Sequence, residues 1–251
     1  MNATSWIDLK IFRDGQLTPW TYQELDQYQR DYCEGLRKNG GPGIFILSEV
    51  APVITLGRRT PASDILLGSD LLRERGVDLY LSDRGGLATY HGPGQWVFFA
   101  VGSLEFWTGD RRGVKAMIEG LLAAALGVAK KIDPSSHIRR GPELGVWSAK
   151  GKIASVGIHV EKGMVLHGLS LNCFKTPTSF MGIRPCGMDS AVDFLLDQPN
   201  DPWFLETGRE LVLSASKQFQ CHVNLQSLSL TNTKEFMYRK PQVSQFDHVG
   251  V

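Results

Sequence analysis

The spacing of apolar positions changes along the chain, and each change predicts an element. Tyr22, Leu25, Tyr32 and Leu36, with Gln29 between them, recur at roughly helical spacing behind Thr21-x-x-Glu24. That pair is a capping box, in which side chains satisfy the first unpaired backbone groups of a helix. Asn39-Gly40-Gly41-Pro42-Gly43 stops the helix with left-handed and turn residues. Residues 44–47 and 53–57 are short apolar runs that read as buried strands. Residues 64–75 read as a short helix stopped by Gly76, residues 77–81 as a strand, and residues 96–101 as a buried strand. Val114, Ile118, Leu121, Leu122, Ala125 and Leu126 make 112–128 an amphipathic helix that covers a sheet. From Leu144 the pattern becomes β-branched runs separated by Lys150-Gly151 and Lys162-Gly163, an antiparallel meander. Asp201-Pro202 opens a last helix that Leu205, Leu211, Val212 and Ala215 continue. The absence of repeats and of a Pro/Ser linker predicts a single domain over residues 1–225. Residues 226–251 are a polar tail expected to be loosely packed or disordered.

Composition narrows the class. A chain of 251 residues is long enough to bury a substantial core. Its 42% hydrophobic and 21% charged content is that of an ordinary soluble globular protein. Twenty-seven basic against 26 acidic residues leave a net charge of +1, which argues against a nucleic-acid partner while allowing a local basic patch. No apolar run approaches the roughly 18 residues needed to span a membrane. Residues 1–10 include Asp8 and lack a basic leader and an apolar core, so they do not read as a signal peptide. Cys33, Cys173, Cys186 and Cys221 lie far apart without metal-ligand spacing, as expected of free thiols in a reducing cytoplasm.

Candidate chemistry begins at Arg84-Gly-Gly-Leu-Ala-Thr-Tyr-His-Gly-Pro-Gly-Gln95. Gly85, Gly86, Gly92 and Gly94 allow sharp turns and close approach of backbone to a ligand. The run reads as a surface loop that presents Arg84, Thr89, Tyr90 and His91 ahead of a core strand. Cys186 lies in Gly-Ile-Arg-Pro-Cys-Gly-Met188, on a turn. A free thiol is mostly protonated at neutral pH, with a pKa of about 8.5, so it needs a nearby cation or base to react. Lys152 stands at the mouth of the apolar strand that begins at Ile153, with Lys150 as its competitor; the register of the meander decides between them.

Together, the RGGLATYHGPGQ run, the GKIASVGIHV run with HGLSLN, and GIRPCGM resemble the lipoyl(octanoyl) transferase family in sequence and order, over most of residues 40–190. The resemblance implies an α/β (α+β) fold, a mixed, largely antiparallel sheet flanked by helices, like the catalytic domain of biotin and lipoate protein ligases. It implies an enzyme whose catalytic pair aligns with Cys186 and Lys152. Substrate contacts are implied at Arg84, Gly85, Gly86, Leu87, Ala88, Thr89, Tyr90 and His91. Ser155, Val156 and Gly157 on one strand, and Gly168, Leu169 and Ser170 on the next, complete the implied set. The family moves an octanoyl (or lipoyl) group from acyl carrier protein, by way of a cysteine thioester, to a lysine on its acceptors. Those acceptors are the lipoyl domains of 2-oxoacid dehydrogenases and the glycine cleavage H protein. This is the first step of endogenous protein lipoylation. No cofactor, metal, nucleic acid or membrane is expected, and the protein is expected to be a cytoplasmic monomer.

The chain departs from the family at Leu87, where relatives carry a more polar residue, and at His159, where arginine is common. An ATP-dependent lipoate-protein ligase on the same fold is the alternative activity, since glycine-rich loops also cradle phosphates. A non-catalytic relative that binds lipoyl domains is the third reading. The resemblance implies acidic protein partners, which predict a basic rim, for which Arg58, Arg59, Arg111, Arg112, Arg139 and Arg140 are candidates.

Overall fold

The computed structural model describes residues 6–12, 20–184, 191–198 and 201–223, with the backbone alone for 6–12. In chain order, β1 (Trp6–Phe12) leads to α1 (Tyr22–Asn39), β2 (Ile44–Ser48) and β3 (Val53–Leu56). There follow α2 (Ser69–Glu74), β4 (Asp78–Leu81), β5 (Thr89–His91) and β6 (Gln95–Ser103). After α3 (Leu104–Thr108) and α4 (Val114–Ile132) come β7 (His137–Arg139), β8 (Gly145–Trp147), β9 (Lys152–Glu161) and β10 (Met164–Asn172). The last elements are α5 (Trp203–Gln218) and β11 (His222–Val223).

An eight-stranded sheet runs in the order β11-β1-β2-β6-β10-β9-β8-β7, and a three-stranded sheet in the order β4-β3-β5. In the large sheet β1 pairs parallel with β11 and with β2, and every other pairing is antiparallel. The fold is thus the mixed, largely antiparallel α/β arrangement expected.

Strand alternation divides the core between the two faces of the large sheet. Phe45, Leu47, Trp96, Phe98, Ala100, Leu169 and Leu171 pack on one side with Leu121, Leu122 and Ala125 of α4 and Leu211, Val212 and Ala215 of α5. Ile44, Ile46, Val97, Phe99 and Val101 pack on the other with Tyr22, Leu25 and Cys33 of α1. The capping box forms as expected: Glu24 N–H donates to Thr21 Oγ1 at 3.2 Å, and Thr21 N–H to Glu24 Oε2 at 2.9 Å. Such a cap contributes about 1 kcal/mol. In the β9–β10 hairpin, Lys162 and Gly163 both have left-handed φ values, +51° and +80°. That is the turn whose twist suits two-residue hairpins, and it sets Glu161 opposite Met164.

Two sequence readings are corrected. Residues 64–75 do not form one helix: a 3-10 turn at Ala62–Asp64 is separated from α2 by an extended stretch, and α2 starts only after Gly68. A glycine that weakens the middle of a helix serves well at its cap. The glycine-rich run is not wholly loop either. Thr89, Tyr90 and His91, its one stretch of three residues bearing β-branched or aromatic side chains, form β5 and pair antiparallel with β3. The tail beyond residue 223, assigned to no element by its pattern, lies outside the described residues.

Candidate active site

A cleft of about 720 Å³ opens where the small sheet leans on β9 and β10. The run from Arg84 to His91 lines it, Tyr90 excepted; β9 contributes Lys152 and Ser155, Val156 and Gly157; β10 contributes Gly168, Leu169 and Ser170. Three chain segments remote in sequence therefore meet at one place. Tyr90 lies on the opposite face of β5: its hydroxyl is 2.8 Å from Thr178 Oγ1 and its ring packs against Phe180. Cys186 lies outside the described residues, which stop at Arg184 and resume at Ala191.

The loop is held by Arg84, whose guanidinium is spent largely on backbone and threonine oxygens. It donates from Nε to Thr55 Oγ1 at 3.0 Å, and from Nη2 to Thr55 O at 2.7 Å and Leu87 O at 2.8 Å. Gly85 N–H donates to Ile158 O at 3.0 Å. A Cβ at Gly157 would lie 2.9 Å from Gly85 O, so glycine there is what lets the loop sit on β9.

Lys152 and Lys150 separate cleanly. Lys150 is exposed in the turn, whereas Lys152 is 7% exposed and lines the cleft. Its backbone is pinned on both sides: its N–H donates to Ala191 O at 3.0 Å, and its carbonyl accepts from Asp193 N–H at 3.0 Å. Its Nζ lies 5.7 Å from the Trp147 ring centroid, within cation–π range, and Trp147 is fixed by donating from Nε1 to Glu143 O at 2.8 Å. A Cβ on Gly145 would come 2.3 Å from Lys152 Cε, so the lysine stem occupies space that only glycine leaves open.

A second polar layer backs the loop, and sequence reading missed most of it. His167 has φ +63°, a left-handed value that a residue with a Cβ rarely adopts. The twist turns His167 toward α1. Its Nε2 lies 2.8 Å from Asp83 Oδ1, its Nδ1 3.1 Å from Gln29 Nε2, and its backbone N–H donates to Gln29 Oε1 at 2.6 Å. Arg30 bridges Asp26 and Asp83, each at 3.0 Å. The hydrogen bond to His167 and the Arg30 contact hold Asp83 well below the usual carboxylate range. The residue before Arg84 is thus anchored to α1 and β10. His167 was visible in the HGLSLN run; the inward-facing Asp26 and Gln29 had no signal beyond lying on the apolar stripe of α1.

His91 is buried and stacks on Tyr22, with ring centroids 5.2 Å apart. Burial, aided by the positive charge of Arg84 and with His167 nearby, pushes its imidazole down to about 3. Unfolded, the same group has its ordinary value near 6.5, so below that pH the unfolded chain binds a proton that the folded chain refuses. Stability is therefore lost as pH falls from about 6.5 toward 3, by at most about 1.4 kcal/mol per pH unit. Urea unfolding at pH 6.5 and 4.5 should differ by about 2 kcal/mol on this account. His91→Phe, which keeps the stacked ring, should remove most of that difference; an unchanged slope would show that His91 does not carry it.

The proposed basic rim is partly neutralised. Arg111 pairs with Glu105, Arg139 with Glu143 and Arg140 with Glu119, at 2.8, 3.0 and 2.8 Å. Arg59 lines the cleft, and Arg58 donates to His159 Nε2 at 3.3 Å. Among the described residues no group of three or more His, Cys, Asp or Glu is placed to hold a metal ion, and no helix is long and apolar enough to cross a membrane.

Known proteins of this architecture bear on the site. In solved structures, a lipoate-protein ligase A bound with ATP shares the fold at TM-score 0.61 and 14% identity, covering 87% of each chain. A bi-partite lipoate protein ligase from Thermoplasma acidophilum, studied with its E2 lipoyl domain, does so at TM-score 0.58 and 16% identity, covering 88% of this chain and 86% of that one. Among curated sequences, an octanoyltransferase of Magnetococcus marinus is 34% identical over 168 residues, 67% of this chain and 74% of its own. An octanoyltransferase of Koribacter versatilis is 33% identical over 214 residues, 82% and 78% respectively. The family model described as the lipoyl protein ligase A/B catalytic domain matches residues 21–217. The chain belongs to the lipoyl protein ligase A/B catalytic domain family.

Proposed function

We infer that this protein is an octanoyltransferase that carries an acyl group from acyl carrier protein to a lysine of a lipoyl domain through a thioester on Cys186. The observation that carries the reading is the placement of Lys152. It is a buried cation in a cleft walled by the glycine-rich loop, and its backbone is tied to Ala191, five residues beyond Cys186 in the chain. The other cysteines are poor nucleophiles. Burial pushes the Cys33 and Cys221 thiols up to about 11 and that of Cys173 up to about 12, so none is a thiolate at neutral pH.

In the proposed reaction Lys152 favours the Cys186 thiolate, which attacks the thioester of the acyl carrier protein. The acyl group moves to Cys186 and the carrier leaves as a thiol. The exchange of one thioester for another is nearly even, so no ATP is required. The acceptor amine then displaces the cysteine, and the stable amide draws the reaction forward. Backbone N–H groups of the loop and of the strand at 155–157 are candidates to stabilise the oxyanion. Burial of the octanoyl tail contributes about 5 kcal/mol to binding, at roughly 0.8 kcal/mol per CH₂.

The ligase alternative shares the fold; the two lipoate ligase structures named above are 14% and 16% identical to this chain, and the two octanoyltransferase sequences 34% and 33%. The two activities separate by donor. Octanoyl carrier protein alone should support modification of a lipoyl domain, and free octanoate with ATP and magnesium should not. Product from octanoate that depends on ATP would replace the transferase reading with the ligase.

A further inference from the structure

Two polar atoms on one face of β5, Thr89 Oγ1 and His91 Nε2, are buried and have no hydrogen-bond partner among the described residues. Both side chains line the cleft. Buried polar groups without partners destabilise a fold, so a pair of them on a cleft wall points to a ligand that completes them.

The surrounding amides decide which kind of group His91 can take. Asn172 Nδ2 donates to Lys152 O and to Asp193 O, both at 3.3 Å; carbonyls only accept, so the Asn172 amide is oriented. Its Oδ1 therefore faces Gln95 Nε2, at 2.8 Å, and the same Nε2 donates to Tyr90 O at 3.1 Å. This orients Gln95 in turn and leaves its Oε1 as an acceptor 2.6 Å from His91 Nδ1. Nδ1 must then carry the proton, and Nε2 holds a lone pair. The chain of amides begins at the backbone carbonyl of Lys152, so the tautomer of His91 and the position of Lys152 are set by one network.

We propose that Gln95 and Asn172 are positioning residues that lock His91 as its neutral Nδ1–H tautomer, and that His91 Nε2 accepts an N–H hydrogen bond from the lysine amine of the acceptor protein as it attacks. The proposal rests on the transferase reading. Among the reacting groups of that mechanism the acyl chain has no donor, the thioester carbonyl only accepts, and the thiol proton is the concern of Lys152. The incoming primary amine is the group that brings N–H to this wall. In the attack its nitrogen bonds to the thioester carbonyl carbon and the C–S bond breaks. The electron pair leaves with the Cys186 sulfur, and the proton shed by the amine passes to that sulfur. His91 takes no proton; it orients the amine through a second N–H, a role suited to an imidazole that stays neutral.

Two readouts test this on the full chain. Nitrogen-15 NMR of the histidine rings should show His91 with a protonated Nδ1 and a bare Nε2, unchanged between about pH 5.5 and 8. In single-turnover assays, enzyme loaded from octanoyl carrier protein is mixed with a lipoyl domain. In Gln95→Leu the ratio of the transfer rate to the loading rate should fall about tenfold, the worth of one hydrogen bond. His91→Phe should lower the same ratio, and it serves alone if Gln95→Leu does not fold. A proton on Nε2, a His91 that titrates in that range, or a ratio equal to wild type would overturn the proposal. If the wild type takes up no octanoyl group, the transferase reading fails and the amine assignment falls with it, while the NMR result still decides the amide relay.

Discussion

Lys152→Met is expected to lower octanoyl transfer by about 10²–10⁴-fold, the range over which a positioned proton-transfer group acts. Methionine keeps the length and much of the apolar stem of lysine, so the packing against Gly145 and Trp147 survives and the charge is what is lost. The backbone hydrogen bonds of this position, to Ala191 and Asp193, are kept in the variant. The variant should therefore unfold at nearly the wild-type temperature while transferring acyl groups poorly. The deficit should fall mainly on the loading step, where the thiol must lose its proton. Lys152→Arg separates two roles, because guanidinium keeps the charge but does not release its proton in proteins. Recovered loading in that variant assigns a fixed charge, and continued failure assigns a proton acceptor. Near-normal transfer by Lys152→Met would remove Lys152 from the mechanism.

Element types were largely legible because most of this fold is built from strongly patterned segments. The capping box at Thr21, the apolar runs of β2 and β6 and the turn glycines of the β9–β10 hairpin each leave a local mark. What was not legible depends on distant partners. Thr89–His91 looks like loop because glycines surround it, and it becomes a strand only because β3 offers an edge. The three-residue strand β7 and the five-residue α3 are too short to show a period.

The site divides in the same way. The cleft collects the run from Arg84 to His91, Tyr90 excepted, and the segments of β9 and β10 that share the family motifs, since motif residues cluster where backbone must approach a ligand. Arg84 is the instructive case: a lone cation in a glycine loop suggests a ligand contact, yet its guanidinium serves Thr55 and the loop's own carbonyls. Gln95 and Asn172 each close a motif run, yet their role was not legible, because an amide in a strand reads as a strand residue until its partners are seen. The choice between Lys150 and Lys152 needed the strand register, in which Lys152 pairs with Trp147 and the turn is left to Lys150.

Cys186→Ala is expected to reduce transfer by about 10⁵–10⁶-fold, as removal of a covalent nucleophile does in other acyl-transfer enzymes. The remaining cysteines cannot substitute, because Cys33, Cys173 and Cys221 are all buried with thiols pushed well above neutral pH. Binding of octanoyl carrier protein should persist, since alanine removes the sulfur and leaves the cleft of the glycine loop and β9. A variant that still turned over at a substantial fraction of the wild-type rate would mean that the amine attacks the donor thioester directly.

In the proposed reaction the acyl group rests on Cys186 between donor and acceptor. Intact-protein mass spectrometry after mixing the enzyme with octanoyl carrier protein, beside Cys186→Ala, tests it most directly. One added octanoyl group is expected on the wild type, released by hydroxylamine as a thioester should be and missing from the variant. A wild-type protein that modifies its acceptor while never carrying the adduct would contradict it.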